Sequence, residues 1–531
     1  MIFESPFPSF QVPDTDIHSH VFSTVGVKGS HPALIDSKSG HVTDYQTLLE
    51  SITLLSTSLY TQLNFQKWDV VAIYSPNNVL YPIAVHAVIK AGGTICPVNA
   101  AFGEQELRTQ LSGCGAKFLV VHPDLINKAN TIKNVTLILL GESTAEYIGT
   151  NELIEKARGS KQIQVQFSST ELETNPAYLV YSSGTTGLPK GVILTHRNVI
   201  SNLQQFLAYN AKTGETLVGK DVWIGVLPFS HVYGLVVGLH LSFLCGLSLV
   251  VMQRFEMRSF LDALERYEVT SAHLVPPIVV GLAKSPLVEG YRFPKLRNLV
   301  CGAAPLGSEV MELVRERLGV PTRQGFGMTE TTAMCLMCPV ALSMKHPKSV
   351  GFLIANMKAK IVDPVSGKEL SVGQEGELVL QGPNVMKGYL NNPFATAQTI
   401  DNDGWLHTVD DKGMFYIVDR LKELIKYKGF QVPPAELEAY LLDHPAIADA
   451  AVIGIPNESS GEVPRAFVIL KASMTSCTES DIISYIDKKV APHKRLRGGV
   501  EFVKEIPKSP SGKILRRVLR ERRVSFGSAK L

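Results

Sequence analysis

The sequence predicts an α/β protein: a large N-terminal domain of layered α/β subdomains plus a β-rich subdomain, then a small α+β C-terminal domain. Three observations predict it. First, VVAIYS (70–75), a helical stretch to Ala91 and TICPVN (94–99) make a strand, helix, strand unit, with Gly92 and Gly93 as the helix C-cap. The same alternation recurs at KFLVVH, at SLVVM followed by SFLDALERY, at SAHLVPP and at RNLVCGAAP, which implies α/β layers around largely parallel sheets. Second, from about residue 375 the texture changes to short alternating strands, GELVLQG and GMFYIVD, with turn residues between them. Third, beyond Arg420 come a KYKGF turn, a helix over 434–442, strands at DAAVIGIP and RAFVILK, a helix at ESDIISYIDKKV and a basic tail, a unit of about a hundred residues. The expected domains are therefore 1–419 and 420–531.

The bulk properties agree. A chain of 531 residues is too long for one ordinary core, at about 150 residues per domain. Hydrophobic content of 45%, charged content of 19% and mean hydropathy of +0.10 describe a globular protein without low-complexity segments. A net charge of +3 gives no global electrostatic case for nucleic acid or an anionic membrane. Seven cysteines without framework spacing suit a reducing compartment, and the lone CxxC, Cys335 and Cys338, reads as two small packing residues. His18 and His20 are too isolated for a metal site, and the first residues, MIFESPFPSFQVPD, lack the pattern of a secretion signal. Residues 232–252, VYGLVVGLHLSFLCGLSLVVM, imitate a membrane span, but three glycines and His240 interrupt it. The expectation is a buried helix ending near Cys245 and Gly246, then a buried strand over 247–252.

YSSGTTGLPKGVILTH (181–196) lies between two apolar strands, AYLVY and GVILT, and Thr195 is placed to N-cap a helix carrying Val199, Ile200, Leu203, Phe206 and Leu207. In this loop Gly184 and Gly187 permit left-handed backbone and close approach. Ser182, Ser183, Thr185 and Thr186 offer hydroxyl donors, and Lys190 supplies positive charge, a combination suited to an anion such as a phosphate chain. The Walker pattern fails, because Pro189 stands where its second glycine belongs and Gly191 follows Lys190.

SSGTTGLPKG resembles the phosphate loop of the adenylate-forming superfamily, which includes acyl-CoA synthetases, luciferases and peptide-synthetase adenylation domains. Further matching motifs follow in order: PFSHVYGL (228–235), CGAAPLG (301–307), QGFGMTE (324–330), GWLHTVD (404–410), VDRLKELIKYKGFQVPPAELE (418–438) and PKSPSGKILRR (507–517). The last two look especially like 4-coumarate:CoA ligases. The resemblance spans essentially the whole chain. It implies a two-step acid–CoA ligase: a carboxylic acid, aromatic (phenylpropanoid) or medium-to-long aliphatic, attacks the α-phosphorus of ATP to give an acyl-adenylate and pyrophosphate, and coenzyme A then displaces AMP.

The resemblance also implies roles. Thr329 contacts phosphate and Glu330 holds Mg²⁺, a hard cation suited to carboxylate and phosphate oxygens. Gly302, Ala303, Ala304 and Pro305 line the adenine. Gln324, Gly325, Phe326 and Gly327 belong to the nucleotide site, with Gly325 and Gly327 shared with the acyl pocket. Asp410 and Arg420 hold the ribose hydroxyls, and Gln431 contacts the nucleotide phosphate. Lys513 bridges the attacking carboxylate and the α-phosphate, so the C-terminal domain must be mobile, with Lys422 as its hinge. Its rotation brings Lys426, Lys428 and Gly429 of the KYKGF loop toward the thioester site. His231 gates the carboxylate, and Tyr233, Val237, Ala333 and Met334 wall the acyl pocket. Taken alone, His231 next to an apolar run reads as a core or capping residue.

Two departures stand out. Val409 replaces the glycine of the usual TGD, and the stretch from Asp410 to Asp419 is shorter than usual, which puts the ribose contact in question. The tail carries eight Lys or Arg from Lys504 to Arg523 and reads as a solvated surface helix that also meets coenzyme A phosphates, not as a nucleic-acid patch. The last residues, SAKL, resemble the peroxisomal SKL address, with its import receptor as partner and the cytoplasm as the alternative location. Two rival functions are an adenylate ligase that loads a carrier protein and a nucleotide-binding homologue without activity.

Overall fold

The computed structural model describes all residues except 24–28, 183–189, 365, 412–422, 428–429, 458–459, 472–473, 475–476, 510–512, 517 and 521–531. Two large sheets organise the N-terminal domain. The first has seven strands, in the order Gly388–Tyr389, Lys190–Thr195, Pro176–Ser182, Thr94–Val98, Val70–Tyr74, Phe118–Val121 and Thr136–Leu139. Its five strands from Pro176–Ser182 onward are parallel. The unit expected at 70–99 forms as read: Val70 pairs in parallel with Thr94, the helix is Tyr81–Lys90, and Gly92 closes it at φ 76°. The second sheet has nine strands, six of them parallel, running through Thr322–Phe326, Asn298–Cys301, Ser271–Leu274, Val222–Gly225, Ser248–Val251 and Pro32–Asp36. Such strands are buried on both faces, which is why they read as unbroken apolar runs.

The β-rich subdomain is larger than the sequence suggested. Its four-stranded antiparallel sheet contains Glu377–Gln381 and Leu406–Asp411, but it also takes in Lys358–Val362 and, from the other end of the chain, Ile2–Glu4. GMFYIVD lies outside the described residues. The C-terminal unit has its own five-stranded sheet, from Ile425–Tyr427 to Val500–Phe502, and its own apolar core. Its helices are Pro434–Leu442, as expected, and Glu479–Asp487.

The basic tail requires a correction. Arg516 is only 10% exposed and donates from Nη2 to both oxygens of Glu438 at 2.8 Å and from Nη1 to Glu423. Leu519 is fully buried in the C-terminal core. The tail is therefore structural as far as Leu519, because a cation facing two buried carboxylates is held inside by them.

The apolar run at 232–252 folds as a buried helix that ends at Cys245, with Gly246 at φ 64° and the strand Ser248–Val251 after it. Its first eight residues, Tyr233–His240, form a π-helix, which the sequence did not announce. Gly234 explains its tight start: a Cβ there would stand 2.2 Å from the Pro228 carbonyl oxygen. Among the described residues no helix is long and apolar enough to cross a membrane. Cys335 and Cys338 are fully buried core residues.

Histidines are packed into this core. His18, on the helix Ile17–Ser23, lies 5.7 Å from His86 between ring centres, and His86 lies 4.9 Å from His240. His240 Nε2 meets the Tyr178 hydroxyl at 2.7 Å, whereas neither ring nitrogen of His86 has a partner among the described residues. Burial disfavours the imidazolium and pushes His18 down to about 4 and His240 to about 3, with His86 well below its usual value. The unfolded chain therefore binds these protons first, and stability falls as pH drops below about 6.5 toward the folded values. The melting temperature should decline between pH 7 and pH 5 in calorimetric scans. His86→Leu should flatten that decline by up to about one proton while costing no more than about 1.5 kcal/mol at pH 7.5; an unchanged slope would show that His86 takes up its proton in the folded state.

Candidate active site

Both large sheets present the carboxyl ends of their parallel strands, where crevices between strands and loops form in open α/β sheets. At this end of the seven-stranded sheet, Pro176–Ser182 turns back as the antiparallel strand Lys190–Thr195, with Ser182 paired to Lys190. The hydroxyl and glycine segment is the connection of this hairpin. Ser183, Gly184, Thr185, Thr186 and Gly187 lie outside the described residues. Thr195 caps the helix His196–Thr213, and its Oγ accepts the Asn198 N–H at 3.2 Å.

The hairpin base meets a second motif across one tyrosine. Lys190 Nζ lies 4.5 Å from the centre of the Tyr389 ring, and the Tyr389 hydroxyl donates to Glu330 Oε1 at 2.8 Å. Burial and the Glu330 carboxylate both push the Tyr389 phenol up, so it stays a donor. A cation and a carboxylate far apart in sequence are thus held on either side of one ring.

Glu330 and Thr329 sit in the short 3₁₀ turn Thr329–Thr331, both 7% exposed. The chain then doubles back. Thr332 and Ala333 take φ of 59° and 113°, the left-handed region that non-glycine residues avoid, at about 1–3 kcal/mol each. A Cβ on Gly327 would stand 1.4 Å from the Ala333 carbonyl oxygen, so only glycine fits there. A buried amide network holds the turn. Asn202 Nδ2 donates to Met334 O at 2.8 Å, Asn384 Nδ2 to Thr331 O at 2.9 Å, and Gln205 Nε2 to Asn384 Oδ1 at 2.9 Å. Sequence reasoning missed these three residues. The available signal was polar Asn202 and Gln205 interrupting the buried stripe of Val199, Phe206 and Tyr209.

The loop Gly302 to Pro305 leaves the strand Asn298–Cys301 next to Thr322–Phe326, with Cys301 paired to Gln324. Ala303 is again left-handed, at φ 71°. The side chain of Gln324 braces this loop: its Oε1 accepts the Leu306 N–H at 2.8 Å, and its Nε2 donates to Pro347 O at 2.9 Å. A Cβ on Gly302 would lie 3.0 Å from the Tyr233 ring, so that ring presses on bare backbone. The Tyr233 hydroxyl is 3.3 Å from Val300 O and 3.5 Å from His273 Nδ1. Val237, Ala333 and Met334 are buried in the main core, while Tyr233 and Phe326 are partly open against it. Gly325 is the strand residue paired with Met337.

His231 Nδ1 accepts the Tyr233 N–H at 3.2 Å, which leaves the proton of the neutral ring on Nε2. Burial, then the positive charge of Lys513, hold its pKa at about 3. Lys513, on the C-terminal unit, acts on this ring through its charge, and its own N–H donates to Ser509 Oγ at 3.1 Å. The structure thus brings Lys190 and Glu330 together at Tyr389, sets Gln324 beside the 302–305 loop, and places Tyr233, next to His231, against Gly302. Arg420, Lys422, Lys428 and Gly429 lie outside the described residues, as do the side chains of Asp410, Lys426 and Gln431. Asp410 is in the strand Leu406–Asp411, and Lys426 and Gln431 pair across a hairpin.

Comparison with known proteins shows the family. Residues 22–390 match the family model of the AMP-binding enzyme, and residues 436–513 match that of the AMP-binding enzyme C-terminal domain. The chain is 37% identical to 4-coumarate–CoA ligase 1 of Petroselinum crispum and 38% identical to 4-coumarate–CoA ligase 2 of Nicotiana tabacum, over 98% of this chain and 97% of each relative. The crystal structure of ATP-bound MatB from Rhodopseudomonas palustris superposes with a TM-score of 0.82 at 26% identity, covering 96% of this chain and 98% of that one. The chain belongs to the AMP-binding enzyme family, through both its large N-terminal and its small C-terminal domain.

Proposed function

We propose that this protein is an ATP-dependent acid–CoA ligase. In the first half-reaction a carboxylate oxygen bonds to the α-phosphorus of ATP and the bond to the β-phosphate breaks, giving an acyl-adenylate and pyrophosphate. In the second, the sulfur of coenzyme A bonds to the acyl carbon and AMP leaves. The observation that carries this reading is the placement of Lys190 and Glu330 on either side of Tyr389, beside the strained turn that folds back over Gly327. Support for the acid and the thiol comes from the 4-coumarate–CoA ligases, and for the nucleotide from ATP-bound MatB.

The residues fit such chemistry, which depends mainly on positioning and preorganised charge. The hairpin connection with Ser182 and Lys190 grips the terminal phosphates, Thr329 adds a hydroxyl, and 302–305 flanks the adenine. Asp410 and Arg420 hold the ribose. His231, neutral above about pH 4, acts as a donor from Nε2 that orients the carboxylate and does not serve as a base. Lys513 neutralises charge between the two reactants. Mg²⁺, when bound with ATP, lowers phosphate charge. Glu330 fits it, because Oε1 is engaged by Tyr389 and Mg²⁺ needs only one or two carboxylates besides phosphates. The domain division at 419/420, the hinge at Lys422, the approach of Lys426 to Phe430 to the thioester site and a peroxisomal location belong to the same proposal.

Pyrophosphate release measured with 4-coumarate, cinnamate, octanoate and palmitate should identify an aromatic or an aliphatic preference, and no release with any of them would sink the ligase reading. Lys513→Ala should slow adenylate formation by at least ~10²-fold while sparing thioester formation from a supplied acyl-adenylate; equal losses would contradict this division of labour. Deleting Ala529 to Leu531 should leave catalysis intact and move a tagged protein from peroxisomes to the cytosol. A full-length protein already cytosolic would end the targeting idea.

A further inference from the structure

The C-terminal domain meets the large domain directly at one of its helix ends. The helix Pro434–Leu442 ends there, and Lys284, the last residue of the helix Pro276–Lys284, donates its ammonium to the Leu442 carbonyl. A helix leaves its final carbonyls without internal donors, and its C-terminus carries partial negative charge, so a cation is the matching partner. Lys284 is not needed for its own helix end. Arg317 Nη1 serves the carbonyls of Leu282 and Ala283 there, at 3.3 and 3.0 Å.

The surroundings complete a seat. Gly307, the N-cap of the helix Ser308–Leu318, faces Ala439: a Cβ on Gly307 would lie 3.5 Å from that of Ala439, at ordinary contact distance. Gly307 ends the motif that begins with the adenine-side loop, so the C-terminal helix rests on an extension of the nucleotide site. The charged groups at this joint are Lys284 and Glu309 from the large domain, and Asp443, Lys471 and Lys489 from the small one. Lys489 Nζ lies 3.8 Å from Asp443. Burial, then the Glu309 carboxylate, push the Asp443 carboxyl up, while Lys489 and Lys284 pull it down. Lys284 is itself shifted down by burial.

We propose that Lys284 is a positioning residue for adenylate formation: its bond to the Leu442 carbonyl, with Ala439 against Gly307, seats the C-terminal domain in the arrangement that serves the first half-reaction. This rests on the ligase reading above. In that reading thioester formation uses a different placement of the same domain, so the seat serves the first half-reaction alone.

The test uses the full chain and the acid of the above panel that the wild type activates fastest. Lys284→Met keeps the apolar stem and removes the ammonium; Lys284→Arg restores a cation. Single-turnover pyrophosphate release should fall about tenfold in Lys284→Met, the scale of one lost hydrogen bond to a charged group. Acyl-CoA formation from chemically prepared acyl-adenylate should stay within about twofold, and Lys284→Arg should recover most of the first step. Thermal melting of each variant reports whether it folds, and the thioester half-reaction serves as the internal control for an intact large domain. Unchanged adenylate formation, equal losses in both halves, or no recovery by arginine would overturn the role of Lys284. A wild-type chain that releases no pyrophosphate with any acid would instead overturn the ligase reading, and the seat with it.

Discussion

Residue 327 has no space for a side chain because the chain folds back over it, and the return path fixes much of the site. With the Ala333 carbonyl lying where a Cβ would stand, the backbone must pass through two left-handed residues, and this reversal turns Thr329 and Glu330 toward the hairpin that carries Lys190. Such a path is unfavourable on its own. It persists because Asn202, Gln205 and Asn384 bury their amides around it with their hydrogen bonds made. Removing one partner would leave others unsatisfied in a low-dielectric interior, so the turn and its network stand or fall together.

Charge is arranged with similar economy. Lys190 and Glu330 flank the Tyr389 ring, the Lys513 charge acts on His231, and that histidine is kept neutral by burial. A site that receives a polyanion gains from fixed cations and neutral donors, since another negative group would raise the cost of assembling the reactants. Tyr389 separates Lys190 from Glu330, so the pair does not collapse into an ion pair that would neutralise both before a ligand arrives.

Much of this was legible in the sequence. The βαβ unit at 70–98, the Thr195 cap, the helix Pro434–Leu442 and the interrupted apolar run all carry local signals, in periodicity, caps and glycines, and each formed where it was read. The motifs to which the proposed chemistry is assigned were also visible, since each is contiguous. What could not be read depends on pairing across hundreds of residues. The edge strand Ile2–Glu4 has no local reason to join Lys358–Val362, and Arg516 looks like one more tail cation until Glu423 and Glu438 are brought beside it. The amides behind the strained turn look like ordinary helix polarity, and the π-helix has no distinctive composition. Lys284 is in the same class, because its partner is a carbonyl and leaves no trace in the sequence.

The pairing of Ile2–Glu4 with Lys358–Val362, and of Pro32–Asp36 with Ser248–Val251, has a consequence for biosynthesis. The ribosome releases the first segment long before its partner exists, a delay on the order of tens of seconds. During that interval the edge strand Ile2–Glu4 has no mate, whereas Pro32–Asp36 can already pair with Val42–Asp44. Such high sequence separation slows acquisition of the native state. The four-stranded sheet therefore closes only after the last third of the chain has begun to emerge.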